Sequence, residues 1–191
     1  MLPEAGSSKP LTPLAKIYIK GVERAAEISP CGKFRRSLSR VWDKSLPLVL
    51  YIMLNPSTAD ALVDDATIRR CMSFAYQEGY GGILVWNLFD YRAASPKVLA
   101  KARMDYDISG GPANEDALKR MLARVDKVVM AWGSSFSVVQ TRATVSWLNW
   151  FLTCHAQTIS TRCLGYTKSG QPKHPLYLPL NTPLIPWTMK G

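Results

Sequence analysis

Apolar positions along this chain change their period in a repeating order. Leu48–Leu54 is an unbroken apolar run of strand length, rich in branched and aromatic side chains, which predicts a strand covered on both faces. Asp65–Glu78 then places Ile68, Cys71, Met72 and Ala75 at helical spacing, with Arg69, Arg70 and Glu78 able to face outward. Gly79-Tyr-Gly-Gly82 stops that helix. The order recurs as a strand at Ile83–Phe89, a helix from about Ala113 to Arg124 and a strand at Val125–Trp132. A long helix at Val138–Cys154 and a fourth strand at Ile159–Leu164 follow. Ser95-Pro96 falls in an expected loop. Lys16–Lys20 alternates polar and apolar residues and predicts a β segment inside a basic stretch, residues 16–45. Residues 1–15, with their Pro, Ser and Gly, read as a flexible arm. Strands alternating with helices predict a single α/β domain over residues 16–191. The expected form is a three-layer sandwich around a central, mostly parallel sheet of four to five strands.

In open α/β sheets ligands bind beyond the carboxyl ends of the strands. The polar residues where the apolar runs stop are therefore the candidates for chemistry. Asn55-Pro-Ser-Thr-Ala-Asp60 follows the first strand, Asn87 with Asp90, Tyr91 and Arg92 the second, and Thr167–His174 the fourth. Gly165-Tyr-Thr-Lys-Ser-Gly170 lacks the spacing of a phosphate-wrapping Walker loop, and Gly79–Gly82 precedes a strand where a dinucleotide loop opens a helix. Ser57 and Thr58 also suit a simple helix cap. Asp64 and Asp65 are either catalytic carboxylates or a helix start favoured by its dipole, and Asn87 either reads a ligand or bonds neighbouring backbone.

Charge narrows the picture. The 24 Lys and Arg residues against 14 Asp and Glu give a formal net charge of +10. Nine of the cations are Lys9, Lys16, Lys20, Arg24, Lys33, Arg35, Arg36, Arg40 and Lys44. Such an excess suits a polyanionic partner. Cys31, Cys71, Cys154 and Cys163 form no CxxC pair, so no metal site is expected, and Cys71 and Cys154 read as small core residues. Trp132, Trp147 and Trp150 read as core. No apolar run approaches the ~20 residues of a membrane span, and no secretory pattern opens the sequence, so a cytoplasmic protein is expected.

Seven ordered motifs suggest a family: Ile52–Asp60, Asp64–Cys71, Gly79–Gly82, Asn87–Phe89, Arg92-Ala93, Ala131–Gly133 and Cys163–Tyr177. Together they resemble a bacterial and phage family of proteins of unknown function. That family in turn resembles a distant branch of the uracil-DNA glycosylase superfamily. Leu54-Asn55-Pro56 is similar to the water-positioning strand end of mismatch-specific glycosylases, Trp86-Asn87-Leu88 with Arg92-Ala93 to their Thr-Asn-Leu-Val-x-Arg-Ala segment, and His174-Pro175 to their His-Pro-Ser motif. Ser57 stands where those enzymes have glycine and Leu176 where they have serine, and the four-cysteine iron–sulfur pattern of some branches is absent.

The resemblance implies a DNA glycosylase that flips a uracil or a bulkier modified phage pyrimidine out of DNA and hydrolyses its glycosidic bond. Anti-phage defence is an implied setting, and a monomer needing no cofactor is expected. Asn55 would position water, assisted by Asp60, Asp64 or Asp65, with His174 at the base or a phosphate. Asn87 would read the base edge, and Phe74, Phe89 or Tyr91 would stack on it. Ser57, Thr58, Arg69, Arg70, Arg92, Lys168 and Lys173 would meet DNA. The competing readings are a non-catalytic nucleic-acid-binding module and a hydrolase of free nucleosides or nucleotides.

Overall fold

The computed structural model describes residues 12–103, 107–134 and 138–188. Helix α1 (Pro13–Lys20) leads into strands β1 (Glu23–Ile28), β2 (Arg35–Val41) and β3 (Leu48–Met53). Then come α2 (Ala66–Gln77), β4 (Gly82–Asn87), α3 (Pro96–Ala102), α4 (Gly111–Leu122), β5 (Val125–Met130), α5 (Val138–His155) and β6 (Ser160–Cys163). A 3-10 turn at Pro175–Tyr177 and the short β7 (Ile185–Pro186) close the described chain.

The four strands expected from the sequence pattern become adjacent parallel strands in the order β4-β3-β5-β6. The full sheet is larger and mixed: seven strands ordered β1-β2-β4-β3-β5-β6-β7, with β1 and β2 antiparallel at one edge and β7 antiparallel at the other. The expectation of a mostly parallel sheet of four or five strands is corrected on this point. β2 reads Arg-Arg-Ser-Leu-Ser-Arg-Val and carries no apolar run to announce it. It is a strand because its backbone completes the ladder of β4, from Leu38 opposite Val85 to Val41 opposite Gly82.

Pleating sends alternate side chains of the parallel strands to opposite faces. Leu50, Ile52, Leu84, Trp86, Val128 and Met130 meet Leu99 of α3, Leu118 of α4 and Leu148 of α5. Val49, Tyr51, Met53, Ile83, Val85 and Val129 meet Ile17 of α1 and Ile68 and Met72 of α2. The sheet is thus flanked by helices on both faces. Each fully buried aliphatic contributes roughly 1.5–3 kcal/mol against its exposed state.

Local capping overrode two expectations. Residues 16–20 are helical, because Thr12 Oγ1 accepts from Ala15 N, Pro13 presets the first turn, and only Ile17 faces the core. Residues 13–15 belong to this helix and not to an arm; residues 1–11 lie outside the described residues. Ser95 likewise caps α3 by accepting from Val98 N, so Ser95-Pro96 opens a helix. Cys71 is buried as expected, but Cys154 is exposed and Cys163 is the second buried thiol. Trp150, at 59% exposure, is no core residue. No helix among the described residues is long and apolar enough to cross a membrane.

Candidate functional site

Parallel strands end on a common edge, and there the loops after β3, β4, β5 and β6 surround a cavity of about 590 Å³. Its walls include Asn55, Ser57, Asp65, Asn87, Trp132, Lys173 and His174. Three widely separated residues singled out by sequence, Asn55, Asn87 and His174, are therefore brought together.

Each is oriented by its neighbours. Asn55 Nδ2 donates to the carbonyls of Pro56 (2.9 Å) and Ala93 (2.8 Å), which leaves Oδ1 as the acceptor it offers. Asn87 is 2% exposed, and its Oδ1 accepts from Arg35 Nη2 at 3.0 Å. Its carbonyl accepts from Asn114 Nδ2. What Asn87 offers the cavity is thus chiefly its N–H donors, a narrower role than reading donor and acceptor together. His174 Nδ1 accepts from Leu176 N at 3.3 Å, which assigns the proton of the neutral ring to Nε2. Burial pushes the His174 pKa below the ordinary imidazole value, opposed by the nearby Asp65 carboxylate. At neutral pH it is a neutral ring with an N–H donor.

The loop carrying His174 is held by a hairpin. Tyr166 bridges Pro172, Thr167 N donates to the Gln171 carbonyl, and Trp132 Nε1 donates to Gln171 Oε1 at 2.8 Å. Gly133, at φ +74°, lets the loop close on the end of β5. Its N–H donates to the Pro172 carbonyl, and a Cβ there would stand 3.3 Å from His174 Cβ.

Asp65 lines the cavity and also caps α2, its Oδ1 accepting from Ile68 N, so the helix-start reading and a place in the site both hold for it. Asp60 does not line the cavity. Its Oδ1 accepts from Val63 N and Leu62 N, bonds that hold its carboxyl below the usual range and tie it into its own turn. Asp64 is buried in an ion network: Arg40 Nε donates to its Oδ1 at 2.6 Å, and Arg24 Nη1 and Tyr18 Oη donate to its Oδ2.

The expected stacking aromatics lie elsewhere. Phe74 is buried in α2 beneath the Arg70 guanidinium, Phe89 is buried in the core, and Tyr91 packs edge-on against Phe34. The rings that the cavity does receive are Trp132 on its wall and Tyr177, 88% exposed. Tyr177 stands two residues after the His174-Pro175 pair, a position the sequence displayed but residue type did not distinguish.

The expected DNA contacts divide. Ser57 and Lys173 line the cavity; Thr58 and Lys168 are exposed outside it. Arg69 donates to the Asp64 carbonyl, Arg70 to that of Leu178, and Arg92 to those of Gly32 and Thr58. These three guanidinia brace loops around the cavity. The amino-terminal cations are also engaged within the fold: besides Arg24 and Arg40, Lys20 pairs with Asp43, Lys44 with Glu23 and Arg36 with Glu27. Arg35 is the residue that sequence reasoning passed over, counted there only as one cation of nine. It lines the cavity at 3% exposure. Because β2 runs antiparallel to β4, its first residue lies at the edge where the parallel strands end.

No curated protein and no solved structure matches the chain. A family model described as "Protein of unknown function (DUF1643)" matches residues 35–176, which hold every cavity-lining residue discussed except Tyr177 and Leu178. The chain belongs to that family.

Proposed function

We propose that this protein is a DNA glycosylase-like hydrolase that accepts an extruded pyrimidine and cleaves its N-glycosidic bond to leave an abasic site. The observation that carries the reading is the convergence of Asn55, Asn87 and His174 on one cavity from three separate segments of the chain. In the reaction the bond from C1′ to the ring nitrogen breaks, its electron pair leaving with the base. A water oxygen bonds C1′ and gives up a proton, and the base ends neutral after taking one up. Asn55 Oδ1 orients that water, with Asp65 the carboxylate near enough to assist or to stabilise the sugar cation. Asn87 N–H and His174 Nε2–H donate to the departing ring. Trp132 and Tyr177 take the stacking role, and Ser57 and Lys173 the strand backbone.

A cavity of about 590 Å³ is in the range of drug-sized ligand sites, which suits a substituted pyrimidine such as glucosylated hydroxymethylcytosine as well as uracil. Anti-phage defence is the setting this substrate would serve. The test is incubation with oligonucleotides and phage genomes carrying each base, followed by alkaline cleavage. Strand breaks at one base type, lost in Asn55→Ala, are expected; intact DNA throughout rejects the reaction. A hydrolase of free nucleotides is the second reading, favoured by the many basic side chains spent inside the fold. It predicts mononucleotide turnover with weak salt dependence.

A further inference from the structure

We infer that Arg35, with Asn87, forms an anion subsite in the cavity wall that takes the negative charge developing on a departing pyrimidine ring. The identity of the ligand rests on the glycosidic reading above; the charge demand rests on Arg35 itself.

Two arginines of β2 are buried, and their surroundings differ. Arg40 is fully buried against the Asp64 carboxylate and donates further to the Asp60, Val63 and Ser39 carbonyls. Arg35 has no carboxylate partner among the described residues. Its Nη1 donates to the Ala59 carbonyl and its Nη2 to Asn87 Oδ1, both at 3.0 Å, and its buried Nε has no partner. Three of its five N–H groups are thus uncommitted, on a side chain that lines the cavity. Burial pulls its pKa down to about 10, opposed by the charge of Asp65, which lines the same cavity, so the guanidinium stays charged at neutral pH. A buried charge with no carboxylate in contact costs several kcal/mol, a cost that a fold serving only stability removes by supplying a contacting counter-ion or an apolar side chain. The same cavity is lined by further donors, the Asn87 amide, His174 Nε2–H and Lys173, and by one carboxylate, Asp65. Beside the Asp65 carboxylate and the Asn55 acceptor, these donors predominate in number, and they suit an anion or a ring studded with acceptors.

Glycosidic cleavage supplies such a ligand. As the C1′–N bond breaks, its electron pair enters the ring and spreads onto the ring carbonyl oxygens. A guanidinium already desolvated and held in place stabilises that charge without reorganising. Arg35 would then be a catalytic residue in direct contact with the leaving group.

The test uses the full-length protein and three probes at pH 7, with binding followed by calorimetry. Barbiturate is a planar pyrimidine ring carrying a negative charge, uracil is a neutral ring of similar shape, and inorganic phosphate is an anion without a ring. Charge-assisted hydrogen bonds exceed neutral ones enough that barbiturate should bind roughly tenfold more tightly than uracil. That preference should fall to about onefold in Arg35→Gln. Asn87→Asp is the second variant. It sets a carboxylate beside the guanidinium, so it should abolish the preference while keeping or raising the ligand-free Tm. Equal binding of barbiturate and uracil by the natural protein, or a preference surviving both substitutions, overturns the subsite. Phosphate binding that exceeds barbiturate binding and is lost in Arg35→Gln overturns the ring assignment. A protein that prefers barbiturate yet cuts no oligonucleotide keeps the subsite and loses the proposed reaction. One that cuts without the preference does the reverse.

Discussion

Replacing Asp64 with Asn tests how the cavity wall is held. Arg40 and Asp64 have side-chain exposures of 0% and 4% and meet at 2.6 Å. The same guanidinium donates to the carbonyls of Asp60 and Val63, so one ion pair fixes the turn that runs into Asp65, Ala66 and Thr67 on the cavity wall. Asn keeps the shape and removes the charge, stranding Arg40 and weakening the hold on Arg24. Breaking one side of a buried pair costs about 3–5 kcal/mol. For a chain of this size that corresponds to a Tm lower by roughly 10 °C. Because an apolar replacement of both partners removes the stranded charge, Arg40→Met/Asp64→Leu should lose less than the sum of its single variants. Thermal unfolding by circular dichroism measures the natural protein and the four variants. A Tm for Asp64→Asn within about 2 °C of the natural protein would refute the view that this carboxylate compensates Arg40, since it implies a cost near 1 kcal/mol.

Other consequences follow from single contacts. Asn55→Asp turns a carboxylate oxygen toward the Pro56 and Ala93 carbonyls that now accept from Nδ2, so it should impair excision about as much as Asn55→Ala; single-turnover rates decide, and an Asp variant faster than the natural protein contradicts the assigned orientation. His174 has its pKa depressed by burial, so its neutral form persists as pH falls below the ordinary imidazole value. The acid limb of kcat/KM attributable to this residue should lie below pH 6.5 and vanish in His174→Gln; a limb at or above that value, abolished by the substitution, would oppose the neutral-donor role. Asp90 is buried with both carboxylate oxygens unpartnered, beneath Gly110, where a Cβ would come within 2.4 Å of its Cγ. Burial raises its pKa from 3.8 to about 6. The folded state therefore holds this proton more tightly than the unfolded chain. Its contribution is fully present below pH 3.8 and is lost as pH rises through about 6. Asp90→Asn should flatten the Tm profile across that window and raise Tm at pH 7.5, as scanning calorimetry over pH would record.

The alternation of strand and helix periods was enough to locate the four parallel strands and α2; β3 and β4 read most plainly because strands covered on both faces admit few polar residues, whereas β6 reads Ser-Thr-Arg-Cys. Their common direction also made Asn55, Asn87 and His174 legible as neighbours, since parallel strands deliver their carboxyl ends to one edge. Tertiary structure decided what composition leaves open, namely where charged and aromatic side chains go. Arg24, Arg35 and Arg40 look alike in a basic stretch, yet two share the carboxylate of Asp64 and one borders the cavity. Phe74, Phe89 and Tyr91 were equivalent stacking candidates until packing against α2, the core and Phe34 removed them. β2 shows why. A strand that lacks an apolar run is specified by the backbone ladder it completes, and only its antiparallel pairing with β4 carries Arg35 to the edge where the chemistry is expected.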